Sequence, residues 1–482
     1  MRDYSPKRRT ALVFAGSGTS GAYHAGALRA LDESGVKIDV VVGSGIGAVA
    51  AAYAAVGGGA KLYGPGGFWA DASWSAFFRL RPALRLGLAL LGVSFGIVAA
   101  PVLVGVAFGL LFPLLLIADR AVPGVASRFL AWLWVAPEAL SGPYLAAQAV
   151  PVFLLAMLAI AVVGFAWWRH RRRLPEAFEA ALDAKPGLER LKQGLGGIVG
   201  GAAGGRPDEA ELGRRYVALL GENLGEPGFR ELVLRTADLE RGGPLAFALL
   251  REGAIGNSKG PTAALATAVD LRGPGQDRLF FDALATSLLC PLAMPLRRVV
   301  FPKGSPHAGE THRLTEASLV GGCGIAEAVA AGAEQVILVA AVPERPAPPA
   351  RRRGPLARLD AAMRTLEAQA VREADDAQMA SRMAATLGHR TPDGRGAWQD
   401  PATGRVVAEL DLWVIRPEAR VLGPLELDGA VEPATEVVQT TEDLMELGFR
   451  DAYRLFVEPV VGQSTLPERE EGKYRNTQPV EI

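Results

Sequence analysis

The sequence predicts an α/β fold: a central, mostly parallel sheet covered by helices and interrupted by an inserted pair of membrane-spanning helices. Three observations carry this. Ala11–Ala15 (ALVFA) is an apolar run followed at once by a glycine-rich turn and a helix-period segment. VVVGSGIGAVAAAY, from Val40 to Tyr53, repeats the same layout of strand, glycine turn and helix. Strands alternating with helices are the pattern of parallel sheets. Finally, two long uncharged stretches break the chain between positions 86 and 168.

The first glycine turn is GSGTSG, Gly16 to Gly21, leading into AYHAGALRALDESG. Backbone amides at Gly16, Ser17, Gly18 and Gly21, with a helix N-terminus behind them, form a site for an anion or oxyanion. A dinucleotide loop has the same G-x-G-x-x-G spacing, but it expects an acidic residue about 20 positions on, at the end of the next strand. Asp39 stands at the start of its strand, IDVVVG, and that strand is expected to end at Gly43 without a carboxylate.

The second turn has the layout of a nucleophile elbow, G-x-S-x-G. In the frame set by Gly43 and Gly47 the apex is Gly45, and the serine falls one place early, at Ser44. Glycine adopts unusual backbone angles without strain, so Gly45 suits a sharp bend. It has no atom with which to form an acyl-enzyme. Ser44 reads as a small polar turn residue, with a displaced nucleophile as the alternative.

The inserted stretches run from Leu86 to Ala118 and from Ala146 to Trp168, each without a charged residue. About 20 apolar residues cross a bilayer, and core helices rarely run so long without a polar face. Sheet segments lie on both sides of the insertion, so the number of crossings must be even, which makes a hairpin. Arg79, Arg81 and Arg85 precede it and Arg169, Arg171, Arg172 and Arg173 follow it. The positive-inside rule then places the main domain in the cytoplasm of a multi-pass protein of the inner or plasma membrane. Neither crossing carries an ionisable group, so the hairpin reads as an anchor and not as a channel.

Loop, helix, strand and elbow together resemble the patatin-like phospholipases, in a bacterial-type, membrane-anchored form. The string LVFAGSGTSGAYHAGALRAL follows that family's first block, with Ser17 for the middle glycine and Ser20 where an arginine is common. The resemblance implies a three-layer α/β/α domain. It also implies that the glycine loop supplies an oxyanion hole, that the elbow residue is the nucleophile, and that a later Asp of D-G-G or D-G-A is the base. That last block resembles LTEASLVGGCGIAEAVAAGAEQVILVAAV, Leu314 to Val342. Aligned without gaps, Glu316 takes the acid position. Aligning on Gly321 and Gly322 instead leaves Val320 there. ALATSLLCPLAMP resembles the family's A-S-x-x-x-P segment, ELDLWVIRPEARVLGPLELDG its last strand, and DLMELGFRDAYRLF its closing helix.

The resemblance thus implies a lipid acyl hydrolase scaffold with a degenerate dyad, one that binds acyl lipid or a protein partner. An active hydrolase using Glu316 with Ser44 is the alternative. The expected organisation is 1–84 and 169–462 as the α/β domain, 85–168 as the hairpin and 463–482 as a disordered tail. A net charge of zero over 482 residues gives no global basic field for nucleic acid. Two cysteines, Cys290 and Cys323, build neither a disulfide framework nor a zinc cluster. His307 and His312 lie in a polar loop without metal-type companions, and His24 reads as a packed histidine. No metal or cofactor is expected. GGIVGGAAGGR, from Gly196, reads as a flexible linker, and Leu359–Leu387 as a long core-packing helix.

Overall fold

The computed structural model describes residues 4–82, 182–200, 207–251, 264–291, 293–344, 355–390, 396–399, 406–418, 421–431 and 438–462, with a few isolated positions between 84 and 163. The chain divides into two units, Met1–Arg79 with Ala184–Ile482, and Leu80–Asp183. The expected hairpin and the tail from 463 lie outside the described residues, apart from those isolated positions. Among the described residues no helix is long and apolar enough to cross a membrane.

The first unit is built on a nine-stranded sheet. Its strands are β1 (Thr10–Gly16), β2 (Val40–Gly45), β3 (Glu231–Asp238), β4 (Gly243–Leu249), β5 (Val269–Asp270), β6 (Arg297–Val300), β7 (Thr311–Glu316), β8 (Gln335–Ala340) and β9 (Asp411–Ile415). The order is β9-β8-β1-β2-β3-β4-β5, with β7 also paired to β3 and β6 to β7. The four pairs from β9 to β3 are parallel; β4 and β7 join β3 antiparallel. This agrees with the mixed, mostly parallel sheet that the sequence predicts. The central strands are buried along their length and read as continuous apolar runs, as strands covered on both faces do.

Alternation along β1 divides the side chains between two layers. Ala11, Val13 and Ala15 join Val40, Val42, Val336 and Leu338 in one cluster with α6 (Ile325–Ala330) and α7 (Pro355–Leu387). Phe14 faces the other side, where its ring meets His24 of α1 (Ser20–Glu33). Longer helices besides these are α2 (Gly47–Ala55), α3 (Lys185–Val199), α4 (Glu209–Glu222), α5 (Leu279–Thr286) and α8 (Thr441–Ala452), with short turns at Ala60–Tyr63 and Trp74–Phe77. α3 runs through Gly196–Val199, so the first part of the expected linker is helical; 201–206 lie outside the described residues. Leu191 and Leu195 are fully buried and hold the last turns in place. The π-helical turn that extends α8 to Val461 completes the closing amphipathic segment.

α1 and α8 meet through glycines. A Cβ on Gly26 would lie 1.7 Å from the Met445 carbonyl oxygen, and one on Gly448 would lie 2.2 Å from that of Tyr23. Tyr23 also donates a buried hydrogen bond of 2.9 Å to Asp451. A capping box of Thr440 and Asp443 starts α8, satisfying amides that would otherwise be orphaned. The close approach positions α1, and with it the glycine loop at its N-terminus. A Gly448→Ala variant is therefore expected to lose about 1–3 kcal/mol through overpacking against a backbone atom that cannot retreat. The urea midpoint measures this, and an unchanged midpoint would show that the helices are not in such contact.

Candidate functional site

The glycine loop and the elbow lie side by side at the ends of β1 and β2. β2 runs two residues past its expected end at Gly43, because Ser44 and Gly45 stay in register with Ala15 and Gly16. The elbow then turns through Gly45, whose φ is 60°, and the Ile46 amide donates to the Gly16 carbonyl at 2.8 Å. Loop and elbow are one hydrogen-bonded unit.

Glu316 ends β7, one 3₁₀ turn before Gly321 and Gly322. Its Oε1 lies 2.7 Å from the point where a Cβ on Gly45 would sit, and the Gly16 oxygen lies 2.2 Å from that point. The structure thus brings Gly45 and Glu316 together. The longer acid fills the space beside the elbow from which a side chain is missing. Gly321 and Gly322 are engaged elsewhere: the Gly322 carbonyl accepts from Arg235 at 2.6 Å, and Arg235 pairs with Glu327 at 2.8 Å.

Ser44 is buried within β2. Side chains two apart on a strand share a face, so Ser44 lies on the face of Val42, which packs in the cluster with α6 and α7. Asp39 accepts from the Thr10 amide at 2.9 Å and pairs with Lys37, a structural use of the carboxylate considered for a ribose.

The anion site of the glycine loop is engaged by the chain itself. The Ser17 amide and the Ser20 hydroxyl both donate to Oε1 of Glu367, the latter at 2.9 Å. Glu367 descends from α7, inside the long helix that the sequence reads as core packing. Nothing in its charged, alanine-rich surroundings distinguished it. α7 also fastens a cover over the loop. Asp360 accepts from the Leu425 amide at 3.0 Å, and Arg364 reaches Asp360 at 2.9 Å and Glu426 at 3.2 Å. Thr19 meets Pro424 and Gly423 at 3.0 and 2.7 Å. Gly18 is required here, since a Cβ on it would lie 1.8 Å from the Pro424 oxygen. Beneath the cover is a cavity of about 10 Å³, walled by Trp69, Phe77, Leu288, Met363 and Leu425. That is room for about one water.

Both glutamates are buried, which opposes their charged forms. Desolvation raises Glu316 to about 8; the Ser17 hydroxyl opposes this and the Glu367 charge adds to it. Desolvation likewise raises Glu367 to about 7, against its hydrogen bonds from Ser17 and Ser20 and the Arg364 charge. Other candidates are inert. Burial drives His24 down to about 3, with Nε2 held by the Ala15 carbonyl at 3.1 Å. Burial also raises the thiols of Cys290 and Cys323, which leaves little thiolate to react. His307 and His312, expected in a polar loop without metal-type companions, are instead buried against Phe301 and stand beside Glu310.

Two expectations follow from this packing. Gly45→Ser alone should destabilise the fold by about 1–3 kcal/mol, and adding Glu316→Asp should recover part of the loss by withdrawing the carboxyl. Urea midpoints of both single variants and the double variant test this, and strictly additive losses would show that the two positions do not share space. The second concerns pH. Both carboxyls hold protons more tightly when folded than the ordinary glutamate value of about 4.3 allows. Their contribution is therefore complete below about pH 4 and is lost as pH rises through the folded values of about 7 and about 8. Wild-type stability should fall more between pH 5 and pH 8.5 than that of a Glu316→Gln/Glu367→Gln variant. Parallel pH profiles would refute it.

Residues 12–126 match the family model described as patatin-like phospholipase. No curated protein matches the chain. The crystal structure of VipD from Legionella pneumophila is similar over 94% of this chain and 67% of its own, at 12% identity and a TM-score of 0.30, a likeness too weak to carry an argument.

Proposed function

We propose that this chain, which matches the patatin-like phospholipase family model over residues 12–126, is a membrane-anchored protein of that kind that has given up nucleophilic catalysis and binds acyl lipid or a protein partner. The observation that carries the reading is the contact at the elbow. Glu316 Oε1 stands 2.7 Å from the absent Cβ of Gly45. An acyl transfer of this kind needs a nucleophile, a proton acceptor and oxyanion donors. The nucleophile position carries hydrogen. The acceptor is held largely in its acid form at neutral pH. A donor amide of the loop, that of Ser17, is engaged by Glu367. All three parts depart from hydrolysis in the same direction.

The anchoring half of the proposal rests on the uncharged runs at 86–118 and 146–168 and their arginine flanks. It places the α/β unit on the cytoplasmic side of an inner or plasma membrane. A hydrolase using Ser44 is the competing reading; against it stand the position beside the Glu316 carboxyl, which is 45, and the strand face that Ser44 shares with Val42.

The full-length chain in membranes should resist labelling by a fluorophosphonate probe. It should show no turnover of phospholipids or simple esters above a Glu316→Ala control. Labelling that disappears in Ser44→Ala, or turnover that disappears in Glu316→Ala, would overturn the proposal.

A further inference from the structure

The loop between β6 and β7 gathers three side chains of metal-binding type. His307, Glu310 and His312 each offer one ligand atom, and these atoms lie within 4.8 Å of one another. The two histidines are 1% and 3% exposed. Neither ring nitrogen of His307 completes a hydrogen bond of good geometry, and its one polar neighbour of that kind is the Thr267 backbone. A buried imidazole in that condition loses its hydration and gains nothing for it, a cost of about 1–3 kcal/mol. Such a group calls for an explanation.

His312 shows what the explanation is. Its Nδ1 meets Asp238 Oδ2 at 2.6 Å, and its Nε2 meets Glu310 Oε2 at 2.8 Å. Asp238, at the end of β3, is itself buried. A buried carboxylate on Nδ1 orients the ring and turns Nε2 toward Glu310, the second carboxylate of the cluster. The Phe301 ring packs against both imidazoles, with centroids at 5.2 Å from His307 and 5.0 Å from His312. It holds them in place beside each other.

We propose that His307, Glu310 and His312 bind one divalent first-row transition-metal ion of the zinc class, with Asp238 as a positioning residue for His312. Two imidazoles and one carboxylate suit such an ion and not calcium or magnesium, which favour oxygen ligands. Metal–nitrogen bonds of about 2.0–2.1 Å require the three ligand atoms to draw together. Glu310 is exposed and can swing to do so. Hydrogen bonding between His312 and its two carboxylates accounts for those two short contacts, but it leaves His307 unexplained. Arg241 reaches Glu310 Oε2 at 3.1 Å, and that exposed pair offers only weak competition. Bound there, the ion ties the β6–β7 loop into one cluster that Asp238 fastens to the end of β3. Its ligands lie at or before the start of β7, whose other end carries Glu316. The proposal is therefore independent of the reading of the elbow.

The test uses untagged, full-length chain stripped with a chelator and titrated with Co²⁺, followed by displacement with Zn²⁺. The expected result is a visible d–d absorption band that saturates at one equivalent per chain and is lost on Zn²⁺ addition. Glu310→Gln, a change at an exposed position, and His307→Gln should each weaken binding at least about tenfold. Zn²⁺ should raise the melting temperature of the wild type and not of Glu310→Gln. No band, or a band of equal affinity in wild type and Glu310→Gln, would overturn the proposal whether or not His307→Gln folds.

Discussion

The space between the elbow and the end of β7 is too small for two occupants. Its walls are backbone: the Gly16 carbonyl oxygen, itself fixed by the Ile46 amide, and the positive-φ turn at Gly45. Relative to the family pattern that the sequence resembles, one side of this space lacks a hydroxymethyl group and the other has gained a methylene. The two departures compensate in volume. Close-packed interiors tolerate changes that conserve volume far better than they tolerate cavities. Gly45 and Glu316 are thus best understood as a matched pair, each making sense of the other.

Charge gives the same region its second constraint. Glu316 and Glu367 are both buried, and neither forms an ion pair at its carboxylate among the described residues; the Arg364 charge acts on Glu367 without bonding to it. Burying an unpaired carboxylate is costly enough that the group takes up a proton instead. The Ser17 amide and Ser20 hydroxyl partly stabilise negative charge on Glu367. Glu316 accepts a 3.3 Å contact from the Ser318 hydroxyl, its Oε1 completes no hydrogen bond of good geometry, and the neighbouring Ser17 hydroxyl and Ile46 amide offset its burial only in part. That difference accounts for the order of the two pKa values. The loop that could stabilise a developing oxyanion stabilises instead a fixed carboxylate of α7.

Much of this was legible in the sequence, for local reasons. The β1 loop, α1, β2 and the elbow are consecutive, so hydrophobic runs and glycine spacing specified them. Glu316 could be placed because its strand, turn and following helix form a pattern of their own. What escaped was non-local. Glu367 lies 350 residues from Ser17, on a helix whose charged residues look alike until packing selects one to face inward. The cover at 421–427 falls in the stretch that the sequence assigns to the last strand, and only its bonds to Thr19 and Asp360 reveal that it lies over the loop. His307 and His312 stood in an evidently polar loop, and only folding over Phe301 buries them.

The closed state of the site limits what the proposed ligand can be and how it arrives. A cavity of about 10 Å³ admits no acyl chain, so a lipid can enter only if the 421–427 segment or α7 withdraws. Withdrawal of α7 would take Glu367 from the loop and release the Ser17 amide. It would also break the ties from Asp360 and Arg364 to the cover. Entry by withdrawal of α7 would therefore also expose the Ser17 amide, whereas withdrawal of the 421–427 segment alone would leave Glu367 on the loop. A protein partner that engages α7 or the cover from outside needs none of this. The difference separates the two kinds of ligand physically: an acyl lipid must open the structure, and a partner can read it closed.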